Sequence, residues 1–313
     1  MTRPGIRTLV TVVFYAAVIA FLVIYLLSID LDQLDGVSAN AGIVVLASLL
    51  GLGGRFFGTF IWLRVLRGLG AVVPRRDVPL LGWVYARAWM GRYIPGTAPW
   101  IVGKIFFASQ HGVSRVKLAV GSLVEGGVQI IVLVLISTVF ILLDPRLSIV
   151  GPELRIALVA VAVIGLVVLT PPVFNRLFGL VLRVIRRGPI AAEDRVDLRT
   201  ILLTGGLYTV SSVITGVSTF GIILAVVPSA GIDDLLFIVA AVSIAGAAGM
   251  LAIFVPSGIG VREGVLVGLL VAVMPPSAAL TAAIVTRLWS VLLDLVFLAV
   301  SGGVQAITAR ARR

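Results

Sequence analysis

The sequence predicts an all-α polytopic membrane protein, with about eight transmembrane helices plus two re-entrant or broken helical segments in an inverted repeat. Three observations predict it. Only 12% of the 313 residues are charged and 60% are hydrophobic, whereas soluble domains carry about 25% charged residues. Several apolar runs reach the roughly 20 residues that cross a bilayer. Two Pro/Gly breaks, at Pro95-Gly96 and from Pro256 through Gly258 to Gly260, each lead into a short apolar piece and then a charge-bearing span.

The chain in order supports each element. Arg3 and Arg7 precede the first run as in a signal peptide, but 8–29 is too long for a signal core and lacks a small-residue cleavage site. It therefore reads as a span. Asp30, Asp32 and Asp35 follow and place that loop outside. The second span, 41–66, ends among Arg64, Arg67, Arg75 and Arg76, an internal end by the positive-inside rule. Its Gly51, Gly53, Gly54 and Gly58 read as a helix-packing face; no strand precedes them, so they are not a dinucleotide fingerprint. Residues 79–94 and 100–110 are short apolar segments on either side of Pro95-Gly96. Spans follow over 118–143 and 156–175, then over 200–228 and 235–255, and last over 278–306. Residues 265–274 form a third short piece, ended by Pro275-Pro276. The whole chain, 1–313, reads as one membrane domain. A first half (1–175) and a second half (200–313) flank a basic cytoplasmic linker, 176–199, that holds six arginines.

Composition narrows the chemistry. There is no Cys and a single His, His111, so a disulfide framework, an Fe–S cluster and a multi-histidine metal site are excluded. No cofactor and no metal are expected. The net charge of +11 sits in arginine clusters between apolar runs, which fits contact with anionic lipid head groups. No basic stretch alternates with aromatics as a nucleic-acid surface would. Walker A, Gly-x-Ser-x-Gly, His-Glu-x-x-His and Asp-rich metal motifs are all missing, so an enzyme is not expected.

The two breaks share one plan. Arg92-Tyr93-Ile94-Pro95-Gly96 precedes a short apolar piece, Gly112-Val113-Ser114 and a span with Glu125. Ile253-Phe254-Val255-Pro256-Ser257-Gly258 precedes a short piece, Pro275-Pro276-Ser277 and a span with Arg287. The charge pattern has the first unit approach its break heading outward and the second heading inward, the inverted plan of many secondary transporters.

Charges inside apolar runs are costly, at about 2.5–3.5 kcal/mol each near the bilayer centre, and mark functional candidates. Arg92, Lys104, Glu125, Arg262, Glu263, Arg287 and Asp294 are such charges; Arg55 and Arg87 are left open. Arg287 is expected to face Glu263 or Glu125, leaving Arg92 or Arg262 for an anion, since a guanidinium fork binds two phosphate oxygens at once. The helix start at Gly258–Gly260 would aim backbone donors at the break. Gly260, Gly264 and Gly268 would form a ridge for close helix approach. The candidate substrate-binding set is Arg92, Pro95, Gly96, Lys104, Glu125, Pro256, Gly258, Gly260, Arg262, Glu263 and Arg287.

These residues carry a resemblance. Pro256-x-Gly258-x-Gly260-Val261-Arg262-Glu263-Gly264, with Arg287 in the last span, resembles the second-half signature of a flippase-like membrane family that includes the transmembrane region of lysylphosphatidylglycerol synthases. Arg92-x-x-Pro95-Gly96 with Glu125 resembles its first-half signature. Ser257 stands where the family usually has Gly, Pro99-Trp100 where it has Gly-Glu, and Glu125-Gly126 where it has Glu-Arg. The synthases' soluble aminoacyl-transferase domain is absent from this sequence, so the resemblance implies no lysyl transfer. It implies an integral membrane protein that moves or binds membrane lipid, an anionic phospholipid or a polyprenyl-linked glycolipid; the charge pattern, with basic loops inside, is what predicts a protein of the cell's inner (plasma) membrane with both termini cytoplasmic. The alternatives are a non-catalytic partner of a cell-envelope synthase and, further down, a lipid-phosphate enzyme.

Overall fold

The computed structural model describes residues 40–93, 98–143, 152–184, 195–252, 255 and 258–311. Among these residues there are ten α-helices and no strand. In chain order they are α1 (Ala41–Gly68), α2 (Val78–Met90), α3 (Ala98–Ser109), α4 (Arg115–Leu143), α5 (Pro152–Val168), α6 (Pro171–Val184), α7 (Leu198–Val226), α8 (Leu235–Leu251), α9 (Val261–Leu270) and α10 (Pro276–Arg310). Each set runs from a long helix through two shorter ones to a long one, in α1–α4 and in α7–α10; the sets differ in that α8 with its leading turn, unlike α2, is long enough to cross a membrane.

Five helices are long and apolar enough to cross a membrane: α1, α4, α7, α10, and α8 taken with its leading 3-10 turn. The expected span 8–29 lies outside the described residues. The crossing expected over 156–175 is not straight: Val159–Val168 and Pro171–Leu177 meet at 83°, and together they make at most a sixth span. Pro171 and Pro172 cause the bend. Neither has a backbone donor for the preceding turn, and the residue before a proline resists helical angles. The chain is thus a multi-pass membrane protein, and its outer surface agrees. Leu46, Leu49, Leu202, Leu292 and Ile307 are all exposed, an arrangement stable against lipid but not against water.

Caps and breaks set the helix ends. α1 stops at Gly70, whose φ of +72° permits a turn in which Gly70 N–H and Ala71 N–H donate to Arg67 and Leu66 carbonyls. At the start of α7 the Asp197 carboxylate accepts from Thr200 N–H at 2.9 Å. α9 starts at Gly260 (φ +86°), whose N–H donates to the Glu263 carboxylate.

Packing is reciprocal between the two sets of four. α1 lies along α7, α2 packs on α10, and α8 packs on α4; α2 and α3 pair within the first set, α8 and α9 within the second. Small residues make the close approaches. A Cβ on Gly51 would stand 2.7 Å from Leu293 and from Ser218 Oγ, and one on Gly54 3.2 Å from Ile214. Gly53, by contrast, meets nothing. The ridge expected at Gly260, Gly264 and Gly268 is not a packing face. All three glycines are exposed with nothing within 4 Å of an added Cβ, because α9 turns its other side, through Leu266 and Leu270, into the core. The tight glycine of this region is Gly258, at φ +63°, where an added Cβ would come within 2.5 Å of Gly249 Cα.

Candidate functional site

A cavity of about 430 Å³ lies at the centre of the two four-helix sets and takes lining from every one of their eight helices. α1 contributes Arg55 together with Gly54 and Gly58, two glycines that leave room for the space. The turn after α2 contributes Arg92, and the start of α9 contributes Arg262. The long helices α4 and α7 contribute hydroxyls: Ser122, Tyr208, Ser211, Ser212, Thr215 and Thr219. α10 contributes Thr286, Trp289 and Ser290. Among the described residues, all charged lining residues are arginines and no carboxylate lines the cavity.

The carboxylates stand behind the wall, each held by a cation. Asp294 on α10 is fully buried. It accepts from Arg55 Nε at 3.0 Å and from the Tyr93 hydroxyl at 2.6 Å, and Arg92 Nη1 lies 3.9 Å away. Arg55 is fixed further by the Ser290 hydroxyl (2.9 Å) and the Gly51 carbonyl (3.0 Å), both of which accept from it. Arg92 lies over the Trp89 ring, 4.4 Å from its centroid. One acidic residue on the last long helix therefore anchors guanidiniums from α1 and from the first break.

Two further pairs have parallel construction. In the first set, Lys104 on α3 donates to Glu125 on α4; both are 1% exposed. Glu125 also accepts from the Tyr208 hydroxyl at 3.2 Å, and the ammonium sits 4.0 Å from the Trp100 ring centroid and 5.3 Å from that of Tyr85. In the second set, Glu263 on α9 lies 3.4 Å from Arg287 Nε on α10. Each pair joins a short helix to the long helix after it, with the signs exchanged. A buried ion pair of this kind fixes how two helices meet, and breaking it strands a charge.

Arg262 differs. It is half-buried, packs its stem over Gly249, lines the cavity, and makes no hydrogen bond or ion pair with a described residue. Among the expected site residues, the cavity brings together Arg92, Gly258 and Arg262. Lys104, Glu125, Glu263 and Arg287 are in closed pairs outside the lining. Gly260 is exposed, and its N–H, expected to point at a ligand, is held by Glu263 at 2.6 Å. Pro95, Gly96 and Pro256 lie outside the described residues. In the sequence Arg55 is left open and Asp294 stands out as a charge in an apolar run but outside the candidate binding set, while nothing singles out Tyr93 or the hydroxyl wall as part of a site. The signal for Asp294 was present, as an acid within an apolar span; a lone Ser or Thr in such a span gives none.

No match was found among curated proteins or among solved structures. The profile of the lysylphosphatidylglycerol synthase TM region matches residues 8–297, which takes in both breaks, the buried pairs and the arginine-lined cavity. By that match over nearly its whole length, the chain belongs to the lysylphosphatidylglycerol synthase TM-region family.

Proposed function

We propose that the chain is a lipid flippase or transporter, which takes the head group of an anionic phospholipid or polyprenyl-linked glycolipid into the central cavity and passes it between leaflets. One observation carries the reading: an interior cavity of about 430 Å³ whose charged lining, among the described residues, is entirely arginine, set in a hydroxyl-rich wall. Preformed cavities with a few convergent polar groups are the default ligand sites of proteins, and guanidinium forks match phosphate oxygens. The acyl or prenyl chains would stay in the bilayer against the apolar outer surface.

The reading takes the two four-helix sets as inverted repeats within a protein of about eight spans, 8–29 included, with both termini cytoplasmic. The reciprocal packing, α2 on α10 and α8 on α4, supports it. Rocking of one set against the other would then open the cavity to either leaflet.

Reconstitution tests the proposal. In proteoliposomes carrying head-group-labelled phosphatidylglycerol, wild-type protein is expected to expose inner-leaflet label to an impermeant quencher. Arg262→Ala is expected to slow that exposure by about tenfold or more, the loss of one charge-assisted contact. Equal rates for the two proteins would contradict it.

A further inference from the structure

We infer that the cavity takes a head group bearing two negative charges, a phosphomonoester or a pyrophosphate, in preference to a singly charged phosphodiester. The inference rests on the reading of this cavity as an anionic head-group site and adds the class of anion. It follows from the charges left over once every described pair around the cavity is made.

Five cationic side chains surround the space, Arg55, Arg92, Lys104, Arg262 and Arg287, against three carboxylates, Glu125, Glu263 and Asp294. Each carboxylate is already engaged: Glu125 by Lys104, Glu263 by Arg287, and Asp294 by Arg55 and more distantly by Arg92. Two positive charges remain in excess, borne by Arg262 and by the weakly held Arg92, and both line the cavity. The charges that act most on Arg262 are Arg287, Arg92, Glu263 and Arg55, three of the four positive. Like charges gathered in a poorly solvated interior repel one another strongly unless an anion joins them.

An independent observation gives the hydrogen bonding. The Ser122 hydroxyl is fully buried, has no hydrogen-bond partner among the described residues, and lines the same cavity. Of the four buried hydroxyls without a partner among the described residues (Thr59, Ser122, Thr138 and Ser301), it is the one that lines the cavity, where an acceptor on a ligand can complete it. A phosphomonoester supplies about −1.5 to −2 charges near neutrality and three acceptor oxygens. That matches two guanidiniums and a hydroxyl. A phosphodiester supplies one charge and leaves one guanidinium without a counter-charge. An aminoacylated or zwitterionic head group brings an ammonium, for which the lining holds no carboxylate among the described residues.

The test uses the full chain in nanodiscs of zwitterionic lipid. Binding is read from tryptophan fluorescence, since Trp89, Trp100 and Trp289 line the cavity. The probes are dioctanoyl phosphatidic acid, dioctanoyl phosphatidylglycerol and inorganic phosphate. At about pH 7.5 phosphatidic acid is expected to bind about tenfold tighter than phosphatidylglycerol. That advantage should vanish as pH falls below about 6, where the monoester dianion takes up one proton and becomes a monoanion, while phosphatidylglycerol binding stays level. Arg262→Lys, which keeps the charge and loses the fork, guards against a misfolded alanine variant and should reduce the advantage. Equal affinities, or an advantage indifferent to pH, would overturn the inference. Inorganic phosphate competing as well as phosphatidic acid would keep the dianion and move its source from lipid to a soluble anion. Flipping measured on the same preparations separates the two claims. Flipping without a monoester preference removes only this inference, and a preference without flipping removes only the transport reading.

Discussion

At the scale of single residues, the buried charges divide into those that hold helices together and those left for a ligand. Lys104 and Glu125, both 1% exposed, belong to the first kind. Removing either alone strands the other, so Lys104→Met or Glu125→Leu is expected to lose about 3–5 kcal/mol, while the double variant recovers most of it. Thermal unfolding of the purified protein in detergent reads all three. Arg262 belongs to the second kind. With no described partner, Arg262→Ala should leave the unfolding temperature unchanged or slightly raised while lipid binding falls, the trade expected where a site carries uncompensated charge. A clear fall in stability would instead mark Arg262 as structural. The candidacy of Arg92 and Arg262 was legible in sequence, because a charge in an apolar run stands out. So was the Arg287–Glu263 pairing, one of two options the spacing allowed. The anchoring of Arg55 and Tyr93 by Asp294 was not, since those partners lie 239 and 201 residues away. Ser122 was illegible for another reason: hydroxyls in membrane helices usually bond their own backbone, as Ser137 does with Leu133, so a serine alone says nothing of a site.

At the scale of elements, the breaks and the close approaches decide the shape. Gly258 is the tight point of the second break, by both φ and contact. Gly258→Ala is expected to destabilise the protein by about 1–3 kcal/mol, because the obstacle is the Gly249 backbone and cannot swing aside. Gly264→Ala, on the open side of α9, should be neutral or slightly stabilising through better helix propensity. Comparing the two unfolding temperatures checks this, and equal effects would contradict it. The α7 start adds a pH dependence. Hydrogen bonding by Thr200 holds the Asp197 carboxyl below its usual range. A depressed carboxyl stabilises the folded state above its ordinary pKa, and the contribution is lost as pH falls through the folded value. Acid unfolding of Asp197→Asn, which keeps the cap, should show a shallower dependence below about pH 4 than wild type. Most long helices were readable as apolar runs within a few residues. The bend between α5 and α6 was underread, although Pro171-Pro172 announced it. The glycine ridge of α9 was misread because period-four spacing gives a face but not which way that face points.

At the scale of the whole molecule, eight helices from two similar sets enclose one cationic cavity, and α1 against α7 is the long seam between the sets. The chain lacks cysteine, so a single engineered disulfide can lock that seam. A Cβ on Gly221 would lie 3.0 Å from that of Ala47, close enough for Ala47→Cys/Gly221→Cys to bridge after a shift of about 0.5 Å. If transport needs the sets to rock, the oxidised variant should bind lipid as the reduced one does but flip it far more slowly. Unchanged flipping on oxidation would rule rocking out at this seam. Transport of this kind requires that guanidinium in the cavity select an anionic head group for passage. The most direct test is the ratio of anionic to zwitterionic lipid flip rates in one set of proteoliposomes, measured for wild type and for Arg262→Ala. A strong anionic preference that collapses in the variant is expected; a ratio near one in wild type, or one untouched by the substitution, would rule such selection out.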